Sequence, residues 1–568
     1  MTLILVATIG LRFWGLTFQS YWFDELFSAW VSNPSNSATT VAKLTLKDVH
    51  PPAYQLLMWL SYQIFGYNEW AGRLPSALAG MLTVPVIYFL ARELFSSRVG
   101  LYAAALAVTN YYLLYYAQEA RSYALLSFLC SLSFLYLLRV INTPSKRNLI
   151  FYIAATLALL YTHYFAFVLM AAQGLVVCFY IYSTGWSNRP LLMYAAIAAG
   201  TLVVATAPLV PIIARKAAIN NFWIQQPEPG FLIDYFQRYF HSGVVATVML
   251  ILICIAASGL FLKAQSGKVR FGVFALLVWI SMGYFLPWLR GLIAQPVLTD
   301  RNTIMLVPPL LILAGYGLSL ISKLWLQRLI VAGLLCYSLY VLFFNLDYYE
   351  RIRKNQYREI TQAMSAFEPA LPVYTFKQNE DKYNVYFIQQ QSPLLAEDAI
   401  ALGAFSDKEQ DIIPPLFWVA GGHLYKPKPG FDRQYGLIEV GRFSYEGTAA
   451  AMLLNPAATT PLTLEKSDGE PGNSGSVYTS ALLPEHDANL QLLVTVDEVG
   501  RADFAGVMQV ALLAENGDVL QSRTLDSVAV PIILMLDSLQ GAVSLKITLM
   551  TDEFVPVAWL MPVGSVLQ

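Results

Sequence analysis

Long apolar runs fill the chain up to about position 345, and short alternating segments replace them beyond it. A helix that crosses a bilayer needs about 20 consecutive apolar residues. Runs of that kind lie near 2–18, 75–95, 99–117, 120–139, 191–213, 243–262, 271–289, 302–321 and 325–345. The stretch 149–183 has room for two spans, joined by a tight turn at 162–164 that carries His163. The pattern therefore predicts about 11 transmembrane helices. The first helix of the 149–183 pair is short, as happens where a helix stops beside a cavity. The run at 2–18 has no basic start and no small-residue cleavage site, and further spans follow it. It is expected to be a retained helix rather than a leader.

Lys and Arg in short loops mark the cytoplasmic side. Alternate loops carry Arg98; Arg139, Lys146 and Arg147; Arg189; Lys263, Lys268 and Arg270; and Lys323 and Arg328. This places the N-terminus in the cytoplasm and the C-terminal region outside it, as in a multi-pass protein of a bacterial inner membrane. A first outer loop at 19–73 contains amphipathic pieces such as 54–65, suited to lie along the membrane surface.

From about Asp347 the composition changes. Residues 348–366 read as a charged amphipathic helix, and 373–376, 416–420 and 436–440 as short strands bounded by Pro and Gly. A Gly- and Ser-rich segment, 467–476, reads as a linker. Beyond it, Val543, Leu545, Ile547 and Leu549 alternate with Ser544, Lys546 and Thr548, and Glu515, Asn516, Gly517 and Asp518 signal a hairpin turn. The expected architecture is a polytopic α-helical membrane domain (1–346), an extracytoplasmic α/β domain (347–466) and a β-sandwich (467–568).

Composition agrees with a membrane protein: 57% hydrophobic and 13% charged residues leave too little charge to cover a soluble surface of this size. A net charge of −1 supplies no basic field for nucleic acid. The four cysteines all sit in apolar runs, so the C-terminal region must fold without disulfides.

Five local strings could carry chemistry, and the loop charges put all of them on the outer side. Asp24 and Glu25 follow Tyr21, Trp22 and Phe23 just after the first span. They suit a solvated helix start, or a general base (Asp24) raised in basicity by nearby aromatics, with Glu25 as a supporting or metal-side acid. Asp48, Val49 and His50 precede Pro51 and Pro52, which start a helix. Here His50 is either a surface residue at a helix entry or, with Asp48, a ligand for phosphate or a divalent metal; the spacing is no standard zinc pattern. Gln118, Glu119, Arg121 and Tyr123 share a tight turn between two spans. They read as interfacial caps, or as an anion clamp (Arg121) with an orienting acid (Glu119). His163 and Tyr164 lie at the turn inside 149–183, where a lone His is more often a satisfied interface residue than a ligand. Asp300, Arg301 and Asn302 open a later span, where they read as a helix cap or, equally, as a phosphate site with the planar fork of Arg301.

In this order the strings resemble the class C glycosyltransferases, in particular the protein O-mannosyltransferases and the lipid A aminoarabinose transferases. The resemblance covers roughly 10–345, and includes Asp24 and Glu25, His50 before its two prolines, Arg73 before Pro75, the 118–123 turn, His163 with Tyr164, and Asp300 and Arg301 before Pro308 and Pro309. It implies inverting transfer of a sugar from a polyprenyl-phosphate carrier to a glycan, lipid or protein acceptor at the extracytoplasmic face. It implies Asp24 as the base and Arg121, Arg301, His50 and Tyr123 around the departing lipid phosphate, with Gln118, Glu119, His163 and Tyr164 in support. Some relatives place an acid and a Lys before the two prolines, and that acid helps hold a metal. Here Val49 and His50 stand there, so a divalent metal would need Asp48 in place of that acid.

Two other classes remain open from the residues alone. A transporter or flippase for lipid-linked sugars should show internal repeats and helices broken at mid-membrane. A non-catalytic glycan-binding envelope protein would not need the acid pair of the first loop.

Overall fold

The computed structural model describes residues 1–47, 50–185, 188–217, 224–258, 266–367, 371–375, 400–401, 414–422, 433, 436–467, 476–481, 483, 490–496, 508–525, 531–536, 543–549 and 555–562. They form two units: Met1–Phe18 with Val31–Arg351, and Gln19–Trp30 with Ile352–Gln568. The short segment Gln19–Trp30 groups with the C-terminal sequence.

The first unit is helical. Among the described residues seven helices are long and apolar enough to cross a bilayer: Glu69–Leu94, Tyr123–Asn142, Ala166–Thr184, Arg189–Arg215, Gly267–Ile293, Arg301–Ser319 and Leu324–Asn345. The pair Phe231–Phe240 and Gly243–Ser258, bent by 108° at its break, makes an eighth if it is one span. The expected eleven also counts shorter apolar helices. Thr2–Phe13 and Ser97–Val108 have 12 residues each. At 1.5 Å per residue that is about 18 Å, well short of a bilayer's hydrocarbon core. The chain is a multi-pass membrane protein whose helices differ in length.

Local chemistry sets the helix starts. Asn68 Oδ1 accepts from the Ala71 N–H at 2.9 Å, and Asn110 Oδ1 from the Leu113 N–H at 3.0 Å. Ser96 and Ser145 do the same for Val99 and Asn148. Each satisfies an N–H that the helix itself cannot use. The helices then pack through small residues and closed polar sets. A Cβ on Gly80 would sit 2.5 Å from Ala117 Cβ, and one on Gly317 would collide with the Leu252 carbonyl. Ser133, Thr156, Gln173 and Tyr152 link three helices by hydrogen bonds of 2.7–3.0 Å. The fully buried Arg12 donates to the carbonyls of Ala107 and Val108, at the C-terminal end of Ser97–Val108. A cation there meets the negative end of the helix dipole.

The second unit is mostly sheet. Its strands are β1 (Val373–Thr375), β2 (Ile400–Ala401), β3 (Leu416–Gly422), β4 (Ile438–Tyr445), β5 (Thr448–Leu454), β6 (Thr460–Leu462), β7 (Leu464–Ser467), β8 (Ser476–Ser480), β9 (Leu490–Val496), β10 (Met508–Ala514), β11 (Val519–Leu525), β12 (Ile532–Met535), β13 (Val543–Leu549) and β14 (Pro556–Pro562). They form three sheets, ordered β2-β1-β3-β5-β4, β11-β10-β13-β8-β7 and β12-β9-β14-β6. In the first sheet β1 runs parallel to β2 and β3, and β5 is antiparallel to β3 and β4.

The four-stranded sheet lies between two cores. Leu492, Val494, Leu534 and Ala558 join Val510, Leu512, Leu545 and Ile547 of the five-stranded β11–β7 sheet, which makes a sandwich. On its other side Leu493, Ile533 and Met561 join Trp418, Val440 and Met452 of the mixed sheet, together with Ile360 and Met364 of helix Tyr357–Ser365. The expected division at 466/467 therefore runs through one shared core. The alternation in β13 is observed: Val543, Leu545, Ile547 and Leu549 are all buried. The hairpin at 515–518 is observed too, with Gly517 at φ +87° and the Asp518 N–H donating to Asn516 Oδ1 at 3.1 Å. The helix expected over 348–366 is only Tyr357–Ser365. Backbone groups just before it bond instead to other parts of the unit: the Gln356 N–H donates to the Glu446 carbonyl, and the Arg353 and Lys354 N–H groups donate to Gln19. Of the 467–476 linker, 468–475 lie outside the described residues, as does Phe376 of the expected strand 373–376.

Candidate active site

Four of the five strings contribute to one buried cluster in the first unit. Pro51 and Pro52 end the chain's approach to helix Ala53–Phe65 and leave His50 on the turn before it. The Ala53 N–H donates to the Tyr161 carbonyl at 2.9 Å, so this turn is bonded to the turn that carries His163. The two imidazoles meet edge to face, with ring centroids 5.1 Å apart. The 118–123 turn comes to the same place through helix Glu69–Leu94. Ser76 Oγ donates to the Arg121 carbonyl at 3.0 Å, and Tyr54 OH shares a 2.8 Å hydrogen bond with Ser76 Oγ. The Tyr123 ring lies 6.1 Å from His163. His50, Glu119, Arg121, Tyr123 and His163 are all buried.

The state of His163 follows from its contacts. The Phe165 N–H donates to His163 Nδ1 at 3.2 Å, so the proton of a neutral ring sits on Nε2. His163 is 4% exposed, and Nε2 has no partner of hydrogen-bond geometry among the described residues. Burial holds the imidazole well below the usual histidine range. The charges of His50 and Arg121 lower it further, and the Asn302 side chain, which favours the charged form, offsets them only in part. Asn302 is itself fixed, because its Nδ2 donates to the Val297 carbonyl at 3.0 Å and its N–H donates to Thr299 Oγ1.

This arrangement has a pH signature. Unfolded His163 takes up a proton near its ordinary value of 6.5, while the folded ring resists it. The unfolded state then binds more protons, so stability falls as pH drops below that value, by at most about 1.4 kcal/mol per pH unit from this group. The thermal midpoint in detergent should drop between pH 7 and pH 5 more steeply for wild type than for His163→Gln. Equal slopes would rule out a buried neutral imidazole.

The remaining predicted residues lie elsewhere or at the margin. Gln118 Nε2 donates to the carbonyls of Leu11, Arg12 and Trp14, the last at 2.7 Å, and so caps the end of helix Thr2–Phe13. Arg301 and Tyr164 are half-buried, Arg301 standing next to Asn302 at the start of the turn Arg301–Leu306. Asp300 is paired with the exposed Arg238 at 3.1 Å. Asp24 and Glu25 belong to the second unit, in the first turn of helix Phe23–Val31. Glu25 is fully buried and its Oε2 lies 3.1 Å from Lys354 Nζ. It also accepts the Trp22 N–H at 3.4 Å, the backward half of a capping box. Asp24, one position earlier, is half-buried.

Sequence reasoning missed three supports: Ser76, Asn302 as a partner of His163, and Lys354. Asn302 was visible only as the neighbour of Arg301, and nothing local marks Lys354, 329 positions from its partner. For a metal, Asp48 lies outside the described residues, and among the described residues no group of three His, Cys, Asp or Glu side chains could hold an ion. Two imidazoles beside the Arg121 guanidinium suit an anion better than a divalent cation, which that charge would repel.

A family model described as dolichyl-phosphate-mannose-protein mannosyltransferase matches residues 49–211, which include His50, the 118–123 turn and His163. Among curated proteins no sequence matches the chain. In fold the chain is similar to ArnT from Cupriavidus metallidurans in the apo state, at a TM-score of 0.56 and 13% identity, covering 79% of this chain and 97% of that one. The same protein bound to undecaprenyl phosphate gives a TM-score of 0.51 at 15% identity over the same shares. By the family model over residues 49–211 and by fold over most of its length, the chain resembles the class C glycosyltransferases.

Proposed function

We propose that this chain is a membrane glycosyltransferase that moves a sugar from a polyprenyl-phosphate carrier to a glycan, lipid or protein acceptor at the extracytoplasmic face. The observation that carries the reading is the convergence of His50, Arg121 and His163, from three separate strings, into one buried cluster in which the two imidazoles meet edge to face. Buried donors and a buried guanidinium together suit a phosphate. The undecaprenyl phosphate held by the similar ArnT supports a lipid phosphate as that group.

In the proposed reaction an acceptor hydroxyl attacks the anomeric carbon and gives its proton to Asp24. The carbon–oxygen bond to the phosphate breaks with its electron pair, and the polyprenyl phosphate leaves with the added negative charge. Arg121, His50, Arg301 and the Nε2–H of His163 stabilise that charge as it develops, where fixed donors act most strongly. One displacement inverts the anomeric centre. The loop charges support an extracytoplasmic position for the C-terminal unit.

The test uses the purified full chain in detergent with synthetic undecaprenyl-phosphate mannose, glucose and arabinose and an envelope extract as acceptor. Mass spectrometry should detect release of undecaprenyl phosphate from at least one donor, only when acceptor is present. Release from none, together with no binding of undecaprenyl phosphate, would end the transferase reading. Movement of intact donor across a reconstituted vesicle would favour a flippase instead.

A further inference from the structure

The segment Gln19–Trp30 is built into the C-terminal sequence by side chains at three successive points. Gln19 Oε1 accepts the N–H groups of Arg353 and Lys354 at 3.0 and 3.2 Å. Ser20 Oγ accepts the Arg358 N–H at 3.0 Å, and so caps helix Tyr357–Ser365 from a distant part of the chain. Glu25 Oε2 pairs with Lys354 Nζ at 3.1 Å, with side-chain exposures of 0% and 6%. The other end of this connection is also fixed. Asn355 Nδ2 donates to the Gly447 carbonyl at 3.0 Å, the Gln356 N–H donates to the Glu446 carbonyl at 3.0 Å, and the Glu446 N–H returns to Gln356 Oε1 at 3.0 Å. The turn between β4 and β5 therefore holds 355–356, and 353–358 holds the segment with the two acids.

Within that segment the acids have different surroundings. Glu25 is fully buried, faces Lys354 and accepts the Trp22 N–H, so its carboxylate ties together the helix start and the ammonium. Asp24 is the next residue back on the same helical turn and is half-buried. A buried carboxylate is tolerated only while it is paired and hydrogen-bonded. Without Lys354 the buried Glu25 carboxylate loses the ammonium that faces it, and the helix start bonded to that carboxylate is held less firmly.

We infer that Lys354 is a positioning residue for Asp24: through its ion pair with Glu25 it fixes the helix turn that carries Asp24. The C-terminal region is then part of the transfer machinery and not only a cover or a glycan-binding appendage. The inference rests on the reading of Asp24 as the base.

The test uses the full chain in detergent with Lys354→Met, Glu25→Gln, Lys354→Arg and the exchanged pair Glu25→Lys with Lys354→Glu. Hydrogen exchange over 19–30 should rise about tenfold or more in the two neutralised variants, while exchange in β13 and the transmembrane helices stays at the wild-type level. With the donor that wild type consumes, kcat should fall about 10- to 100-fold and the donor KM stay within about twofold, since misplacing a reacting group costs rate rather than donor binding. A residue that only stabilised the fold would not produce that split. Lys354→Arg, which keeps the charge, should recover most of the rate. Wild-type exchange over 19–30 with unchanged kcat in both neutralised variants would overturn the inference, as would a rise in KM equal to the fall in kcat. If Lys354→Met fails to fold, Glu25→Gln, which keeps the shape, carries the same test. If wild type consumes no donor, the transferase reading falls, while the exchange result still decides whether Lys354 holds the segment.

Discussion

Asp24→Asn is expected to abolish nearly all transfer, with a loss of about 10²- to 10⁴-fold in kcat, the range for removal of a positioned general base. The substitution keeps the size and polarity of the side chain and removes the ability to accept a proton. Asp24 sits in the first turn of helix Phe23–Val31, half-buried, and the charge–dipole contribution that the helix loses is about 0.3–1 kcal/mol. The variant should therefore fold, keep its melting midpoint within a few degrees and bind undecaprenyl phosphate as wild type does. The contrast matters because Glu25→Gln, one residue away, should loosen the whole segment. Near wild-type turnover by a folded Asp24→Asn protein would remove Asp24 as the base.

Arg121→Ala is expected to have the next largest effect, a loss of about 10²- to 10³-fold in kcat, the range for removal of one donor that stabilises a developing anion. The backbone carbonyl of Arg121 keeps its hydrogen bond from Ser76 whatever the side chain is, so the 118–123 turn has a reason to persist. Arg121→Lys should recover part of the loss only, because an ammonium restores charge without the planar fork. The affinity for undecaprenyl phosphate should weaken in both variants, and its salt dependence should become shallower in Arg121→Ala, which loses the charge. Unchanged affinity in Arg121→Ala would show that the cluster of His50, Arg121 and His163 does not receive the phosphate.

Asp24 and Arg121 are recognisable from the sequence alone, because each sits in a string with its own local chemistry. Apolar runs of span length, the two prolines after His50, the short turns at 118–123 and 162–164, and the alternation in β13 are all local signals. They depend on helix and strand periods and on turn geometry, which neighbours along the chain determine. The pattern also overreached. It counted Thr2–Phe13 and Ser97–Val108 as full spans and extended helix Tyr357–Ser365 back to 348, since periodicity says little about where a helix ends.

By itself, then, the sequence determined a multi-pass membrane protein with a strand-rich C-terminal part and a set of acids, imidazoles and guanidinium groups near helix ends. Only the tertiary structure decided how these groups are paired. It brought His50 to His163, set the His163 tautomer through Phe165 and placed Asn302 beside it. It turned Gln118 away to cap another helix and joined Glu25 to Lys354 across 329 positions. The physical reason is that such pairings repay a loop-closure cost with contacts that have no period and no local signature. The acid pair of the first loop was legible as two adjacent carboxylates; that one is fully buried against a distant lysine while the other stands half-buried on the same turn is a property of the folded chain.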